Sequence, residues 1–511
     1  MMQPGETLER EAAQLYYDHA YAAAAQRYER AFVAYRGENN HLAAGLAARA
    51  IGWITGNVLG DWAVQNGWFA RSLAEFEKAG DPVARGWALT VAADLEMDYP
   101  KRAPLYADAV AVAREHGNVD LEYEAHAYLG LLYVMEGRFE EGLLYLDEGL
   151  AAVCSGEITD IVVFDGIFCG FFWACEMLND VARADQWMRA AADIMHGRQI
   201  VAAFCRAHYG AILTAAGRWK EAEHELLQAS RHFQTSSTPR RSAAMIRLAD
   251  LRVRQGRLEE AAQLLRGAEQ DPDAARPLAA LYFARGETAR ARDLLERATQ
   301  GEGVPALIGP LLALLVEVSL AEGNVEQATH AAERLESLSS VHHVPYLRAA
   351  AALAEGRVCI ATDTGDARAR LHEALEGFGR AQLPMELAMA HLHMARAQAE
   401  RSPEAAIAEA KAALEDFERL EAARHADEAA AVLRGLGAPA RTGPKGGGTL
   451  TRRETEVLRL IGSGLSNGEI GDRLYITRKT VEHHVGSLLM KLGLRNRAEA
   501  AAYITREESG H

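Results

Sequence analysis

The sequence is poor in residues that break helices or crosslink a chain. It has 14 prolines among 511 residues, and Leu, Ala, Glu and Arg dominate, which favours helices over sheets. The five cysteines are odd in number and include no CxxC pair; they are Cys154, Cys169, Cys175, Cys205 and Cys359. We therefore expect neither a disulfide framework nor a zinc site.

Long apolar runs and targeting segments are also missing. The most apolar stretch, IFCGFFWAC at residues 167–175, is far shorter than the roughly 20 residues that span a bilayer. The first residues, MMQPGETLEREAAQ, lack the basic-then-apolar order of a secretory signal. These absences predict a soluble, cytoplasmic protein that has no membrane partner.

Motifs for nucleotide chemistry are absent as well. No G-x-x-x-x-G-K-[ST] phosphate loop occurs, and GPKGGGT at residues 443–449 does not fit that pattern. The chain shows no nucleophile–base spacing and no paired-carboxylate motif. The sequence thus predicts that the protein is not an enzyme and uses no cofactor and no metal ion.

Acidic side chains outnumber basic ones, but unevenly along the chain. The formal net charge is -16. Residues 449–511 contain ten Lys and Arg and eight Asp and Glu, a charge of +2, which leaves -18 for residues 1–448. A large acidic part repels nucleic acid, whereas a small and slightly basic end need not.

A helical pattern repeats along much of the chain. Five segments align without gaps on a turn glycine, and these glycines are 80, 39, 30 and 37 residues apart. We therefore expect one more unit of about 40 residues inside the first interval. The turn glycines are Gly137, Gly217, Gly256, Gly286 and Gly323.

Each turn glycine is followed by two further regularities. Five positions later stands a small residue, namely Gly142, Ala222, Ala261, Ala291 and Ala328. Nine positions later stand Leu146, Leu226, Leu265, Leu295 and then Ala332. Such a glycine ends the first helix of a hairpin. The small residue lets the second helix pack closely against the first, and the leucine fills the space between the two helices.

These units resemble the tetratricopeptide repeat. In the first unit Leu129, Gly130 and Tyr133 precede the turn glycine at the spacing of that family, and Gly210 does so in the next. The later units are degenerate. A further candidate turn at Gly365 is followed by an arginine where a small residue belongs.

Residues 1–437 are thus predicted to form an all-α solenoid of helical hairpins, with divergent hairpins and a cap before about residue 114. Stacked hairpins create a curved surface on which partners commonly lie. We therefore expect this body to sense a protein or small-molecule effector. Its first half holds all seven tryptophans, Trp53 to Trp219. They could line a ligand pocket, although packing between helices is the interpretation we favour.

Residues 438–448, APARTGPKGGG, are predicted to be a flexible linker because proline and consecutive glycines interrupt every helical pattern. Residues 449–511 then follow as a small four-helix domain. Thr451 with Glu454, and Ser466 with Glu469, form capping boxes that begin its first two helices. Thr477 is the expected cap of the third helix.

The third helix of this domain is amphipathic. Its apolar positions fall at steps of four, three and four residues on one face, at Val481, Val485, Leu488 and Leu492. The candidate DNA-binding residues lie on and beside the other face: it carries Lys479, Glu482, His483 and Gly486, flanked by Arg478, Thr480, His484 and Lys491. Two short helices joined by a tight turn form a helix-turn-helix, whose second helix enters a major groove.

The segment from Leu450 to about Ile504 resembles the LuxR-type DNA-binding domain, through LTRRETEVL, GLSNGEI, TVEHH and KLGLRNR. The resemblance implies double-stranded DNA as a partner, a homodimer that pairs through the last helix, and RNA polymerase as a further partner to consider. It places Glu482, His483 and Gly486 where members contact bases. Glu482 stands where many members have lysine, and a carboxylate there could accept a hydrogen bond from cytosine N4.

The leading hypothesis is therefore a transcriptional regulator whose solenoid senses an effector and whose C-terminal domain binds promoter DNA. The alternative is a helical-repeat scaffold with a degenerate DNA-binding module. A metal site at His483 and His484 is disfavoured, since no third ligand stands nearby in the sequence.

Overall fold

The computed structural model describes residues 4–191, 203–232, 238–301, 303–342, 344–439, 450, 452–492, 494 and 496–509. Every regular element in these ranges is helical, which confirms the all-α prediction. The chain begins with α1 (Pro4–Tyr17), α2 (Tyr21–Gly37), α3 (His41–Trp53), α4 (Trp62–Ala79), α5 (Pro82–Leu95) and α6 (Tyr99–His116).

The central hairpins follow in order. They are α7 (Val119–Met135) and α8 (Phe139–Ser155), α9 (Ile161–Leu178) and α10 (Val181–Ala191), α11 (Ala203–Ala215) and α12 (Trp219–His232), and α13 (Thr238–Arg254) and α14 (Leu258–Leu264). The later ones are α15 (Ala275–Ala284) and α16 (Thr288–Ala298), α17 (Pro305–Ala321) and α18 (Val325–Val341), α19 (Pro345–Thr362) and α20 (Ala367–Arg380), α21 (Pro384–Gln398) and α22 (Pro403–Arg419), and then α23 (Ala423–Gly435).

The repeat pattern read from the sequence is confirmed. All five predicted turn glycines adopt a left-handed backbone, with φ between 73° and 87°, a region that glycine enters without steric cost. The unit expected in the first interval is the hairpin of α9 and α10, whose turn contains Asn179 at φ 52° in place of glycine. The predicted repeat alanines and leucines are buried. Gly142 packs so closely that an added Cβ would lie 2.4 Å from the carbonyl oxygen of Gly130.

The hairpin after Gly365 forms with a shifted register. Asp363 and Gly365 both have positive φ in the turn between α19 and α20. Leu371 and Ala374 then take the buried positions, while Arg370 is exposed and pairs with Glu355 at 2.7 Å. A wider turn thus explains why an arginine stands at the position that is small in other units.

The solenoid coils until hairpins distant in sequence meet. The ring of Phe139, at the start of α8, lies 6.0 Å from that of His342 after α18. The guanidinium of Arg254 on α13 donates to Glu386 on α21 at 3.0 Å. Gly217, in the turn before α12, faces Pro384 and Leu420. These contacts join helices that are far apart in the sequence.

Helix α9 contains the most apolar stretch of the sequence. Among the described helices it alone is long and apolar enough to cross a membrane, and 83% of that window is buried inside the protein. It packs against α7, α8 and α11. A buried helix of the solenoid core explains this composition.

A buried cluster of charges joins the first hairpins to this core. Arg49 on α3 donates to both carboxylate oxygens of Glu124 on α7 at 2.7 Å and to Asp160, the residue before α9, at 2.9 Å. Its guanidinium also lies 4.6 Å from the ring of Trp87 on α5. Four elements therefore meet at one arginine that is only 2% exposed.

The C-terminal domain consists of α24 (Arg452–Gly462), α25 (Asn467–Leu474), α26 (Arg478–Leu492) and α27 (Arg497–Ser509), the four helices predicted. It has its own buried core, made of Val457, Leu458, Ile461, Ile470, Ile476, Val481, Leu488, Ala500 and Ile504. The solenoid helix α23 ends at Gly435, and the predicted linker lies outside the described residues from position 440 onward.

Candidate nucleic-acid interface

The helix-turn-helix begins with a capped α25. The Ser466 hydroxyl accepts from the Glu469 amide at 3.3 Å, and the Glu469 carboxylate accepts from the Ser466 amide at 2.7 Å. This is the reciprocal capping box that the sequence predicts. The other expected box involves Thr451, which lies outside the described residues.

The turn between α25 and α26 is tight. Tyr475 ends α25 in the left-handed region at φ 55°, and the Ile476 amide donates to the Gly471 carbonyl at 2.9 Å. A Cβ on Gly471 would lie 2.7 Å from the Ile476 carbonyl oxygen. Glycine at this position therefore lets the turn approach α25 closely.

One face of α26 is anchored in the core of the domain. Val481 and Leu488 are fully buried, and Val485 and Leu492 pack against the same core while remaining partly exposed. At the start of the helix, the Thr477 hydroxyl accepts from the Thr480 amide at 3.1 Å, as expected of an N-cap. The orientation of α26 is therefore fixed by its apolar stripe and its cap.

The opposite face of α26 is open to solvent. Among the candidate residues Arg478, Lys479, Glu482, His483 and Gly486 are exposed, and Thr480 and His484 are half-buried. Lys491 belongs to α26, but its side chain lies outside the described residues. The structure thus places the exposed candidates on the first three turns of one helix.

The charges on this face are partly compensated within the helix. The Arg478 guanidinium donates to the Glu482 carboxylate at 3.0 Å, and both side chains are at least half exposed. An exposed pair at i,i+4 contributes only about 0.3–0.5 kcal/mol, so a stronger anion can replace the carboxylate. Lys479 has no salt-bridge partner among the described residues.

The two histidines differ in their surroundings. Burial, and then the positive charge of Arg453, lowers the pKa of His484 below its usual value, so this ring is neutral at pH 7. Its centroid lies 6.2 Å from that of the exposed His483. The rings can donate and accept hydrogen bonds at a surface but do not join a cluster of three metal-ligand side chains among the described residues.

Two arginines hold the helices of the domain together, and our interpretation of the sequence did not assign them this role. Arg453 on α24 donates to the carbonyl of Leu474, the last residue of α25, at 2.9 Å. Arg497 on α27 donates to Asn467 on α25 at 2.6 Å and to the Leu465 carbonyl. Both arginines fall inside motifs matched in the sequence, so their positions were visible there but their partners were not.

Arg453 also connects the domain to the solenoid. Its guanidinium lies 3.2 Å from the Glu260 carboxylate on α14. Glu260 in turn accepts from Arg257 at 2.5 Å and lies 3.3 Å from Arg252. This contact lies beside His484, while the exposed residues of α26 remain uncovered.

A second constellation, inside the solenoid, was not expected from the sequence. The ligand atoms of Asp165, Cys169 and Cys205 all lie within 4.8 Å of one another, and the two sulfurs are 2.7 Å apart. Asp165 also accepts a hydrogen bond from the Tyr16 hydroxyl. Asp165 and Cys169 are four residues apart on α9, so their spacing in the sequence places them on one face of a helix. Cys205 lies on α11 and comes close to them only in the folded chain.

The sequence of the C-terminal domain matches known proteins. Residues 448–504 match the family described as bacterial regulatory proteins, luxR family. Transcriptional regulatory protein LnrK of Bacillus subtilis (strain 168) is 51% identical over 57 residues, which are 11% of this chain and 26% of LnrK. LiaR of the same strain is 48% identical over 58 residues, which are 11% of this chain and 28% of LiaR.

These relatives are similar only in part. The chain spans about a quarter of the length of LnrK and LiaR. Among solved structures, Scc4 in its crystal structure with Scc2n is similar, with a TM-score of 0.40 and 10% identity. The alignment covers 84% of this chain and 89% of the Scc4 chain. At that score the likeness carries no argument about the solenoid. The matches and the geometry together show that this chain carries, at residues 448–504, a helix-turn-helix domain of the luxR family of bacterial regulatory proteins.

Proposed function

We propose that this protein is a cytoplasmic transcriptional regulator that binds promoter DNA through α26 and senses an effector through its solenoid. The observation that carries the proposal is the exposed first half of α26, held by a buried apolar stripe within a luxR-family domain. A regulator of this family is not expected to be an enzyme.

In the proposed complex, Arg478 and Lys479 contact phosphates, which sets affinity and orientation on the duplex. Glu482 and His483 face base edges in the major groove, where donors and acceptors identify each base pair. A Cβ added to Gly486 would meet nothing within 4 Å in the protein, so packing does not require glycine here; without a side chain this position lets the helix approach the DNA closely. Glu482 becomes available to cytosine once Arg478 pairs with a phosphate.

We further propose that two copies bind an inverted-repeat site and pair through α27. A twofold protein on a twofold site is the usual arrangement for a helix-turn-helix regulator. RNA polymerase is then a further candidate partner at the promoter.

The test starts from genome-wide capture of DNA by the full-length protein, followed by affinity measurements on the captured sites at about 150 mM salt, because phosphate contacts depend on salt. Lys479→Ala should weaken binding to all sequences by about tenfold. His484→Ala and Thr480→Ala should also lower retention of the captured sites. Arg459→Ala is the matched control, since Arg459 is exposed on α24 outside the helix-turn-helix.

The outcome separates the two hypotheses. Loss of site-specific binding in the α26 variants, with an unchanged Arg459 variant, supports the regulator. Unchanged DNA retention in every variant contradicts it and favours a protein-interaction scaffold.

A further inference from the structure

The coiled solenoid contains a half-open cavity of about 170 Å³. Its wall comes mainly from every second helix, namely α13, α15, α17, α19, α21 and α23. A dry cavity of about 150 Å³ accommodates a benzene ring. The space is therefore suited to a small organic molecule rather than to a folded partner.

Part of the wall is apolar. Phe283, Leu314, Leu353, Met385 and Met389 face the cavity from α15, α17, α19 and α21. Ligand pockets typically combine such a surface with a few convergent polar groups that fix orientation. The polar groups here show what charge the ligand should carry.

The carboxylates that line the cavity already have arginine partners. Asp250 accepts from Arg254 at 3.1 Å, and Glu386 accepts from the same guanidinium at 3.0 Å. Glu317 accepts from Arg357 at 3.2 Å. A cationic ligand would have to displace an arginine from each of these positions.

Arg424 is the exception among the lining charges. No carboxylate of the described residues lies within 4 Å of its guanidinium, which is 5.5 Å from the centre of the Phe283 ring. Arg424 stands in the first turn of α23, whose N-cap Ala422 offers no side-chain acceptor. The partial positive charge of the helix therefore adds to that of the guanidinium.

The neighbouring His425 packs its ring 5.3 Å from that of Phe417 and has one ring nitrogen without a hydrogen bond. Its Nδ1 is buried and makes no hydrogen bond, and its ring lies on the cavity wall. Burial, and then the charge of Arg424, lowers the pKa of His425 to about 4, so the ring is neutral at pH 7. A neutral imidazole can donate to, or accept from, a polar ligand group.

We propose that this cavity binds a small organic acid, with its carboxylate at Arg424 and its apolar ring or branched chain against Phe283, Leu314 and Met389. The proposal deepens the proposed function by naming the chemical class of the effector. It depends on the sensing role of the solenoid, whereas its test involves no DNA, so failure of either proposal is seen separately.

The test is isothermal titration of the full-length protein with benzoate, phenylacetate and isovalerate at millimolar concentrations. The matched controls are 2-phenylethanol, which is uncharged, and phenethylamine, which is cationic. At least one acid should bind, and roughly tenfold more tightly than either control, because a hydrogen-bonded ion pair is lost without the carboxylate. No binding by any of the three acids, or equal binding of acid and amine, overturns the proposal.

Variants locate the binding. Arg424→Gln should weaken acid binding by roughly tenfold, and Arg424→Lys should restore part of it. Arg434→Gln is the control, because Arg434 is exposed at the other end of α23. Circular dichroism of each variant tests whether its helices remain folded. Wild-type affinity for the acid in Arg424→Gln would contradict the proposed site.

Discussion

The buried arginines of the solenoid and the exposed basic residues at the start of α26 differ in their partners. In the solenoid Arg252 is 3% exposed and donates to Glu223 at 2.6 Å, and Arg49 is equally enclosed by carboxylates. On α26 the side chains of Arg478 and Lys479 are exposed, and the ion pair between Arg478 and Glu482 is exposed as well. We therefore expect affinity for DNA to depend on which cations lack a buried partner, rather than on their number.

The largest expected effect follows from removing an enclosed arginine. Arg49→Leu leaves the buried Glu124 and the partly exposed Asp160 without their cation, and breaking a buried pair costs about 3–5 kcal/mol. Urea unfolding followed by tryptophan fluorescence measures the change, since Trp87 contacts Arg49. Arg478→Leu is the matched control and should leave the unfolding midpoint unchanged while weakening DNA binding. Equal stability losses in the two variants would remove the distinction between the regions.

The next effect concerns pH and a buried histidine of the solenoid. His126 is 1% exposed, and burial, with the charge of Arg114, lowers its pKa to about 4. A histidine whose pKa is lower in the folded than in the unfolded state binds fewer protons when folded. Stability is therefore complete above about pH 6.5 and falls as the pH decreases toward 4. This histidine alone should cost about 2 kcal/mol at pH 5.

The measurement compares unfolding midpoints at pH 7 and pH 5. His126→Gln should make the midpoint less sensitive to pH, although the variant can lose some stability at both values. His372→Gln is the control, because that side chain is 70% exposed. If the two variants depend on pH as the wild type does, His126 does not carry the effect.

Much of this organisation could be predicted from local sequence. Turn glycines, capping residues and apolar spacing report contacts within a few residues, so the hairpins and the stripe of Val481 and Leu488 were predictable. Contacts between distant hairpins were not, because they depend on how small angles between units accumulate. Arg254 with Glu386, and Cys169 with Cys205, therefore appear only in the structure.

The same limit applies at the candidate sites. The exposed candidates on α26 could be predicted because one helix presents them all, and their DNA contacts stay predictions. The pairing of Arg478 with Glu482 was also readable from their i,i+4 spacing. The cavity beside Arg424 could not be predicted, since seven helices contribute to it.

A charge reversal on α26 should have a moderate effect. Glu482→Lys removes the internal partner of Arg478 and adds a cation where many LuxR-type domains have one. We expect about tenfold tighter binding to non-specific DNA, and a salt dependence steeper by about one per protomer. Glu418→Lys makes the same change on an exposed position of α22 in the solenoid and should alter neither quantity. A similar gain from both variants would mean that total charge, rather than the face of α26, governs binding.

The smallest effect should come from removing the solenoid. Residues 444–511 contain a complete apolar core of their own, so we expect this fragment to fold. It should bind DNA a few-fold more tightly than the full chain at low salt, because it escapes the repulsion of the acidic body and the contact of Glu260 with Arg453. The Debye length is about 30 Å at 0.01 M salt and about 8 Å at 0.15 M. If electrostatic repulsion by the solenoid weakens DNA binding, the difference in affinity between the fragment and the full chain should shrink as the salt concentration rises. A difference in affinity that persists at high salt would indicate that the contact with α14 restrains the domain. Equal affinities at every salt concentration would show that the two regions act on DNA independently.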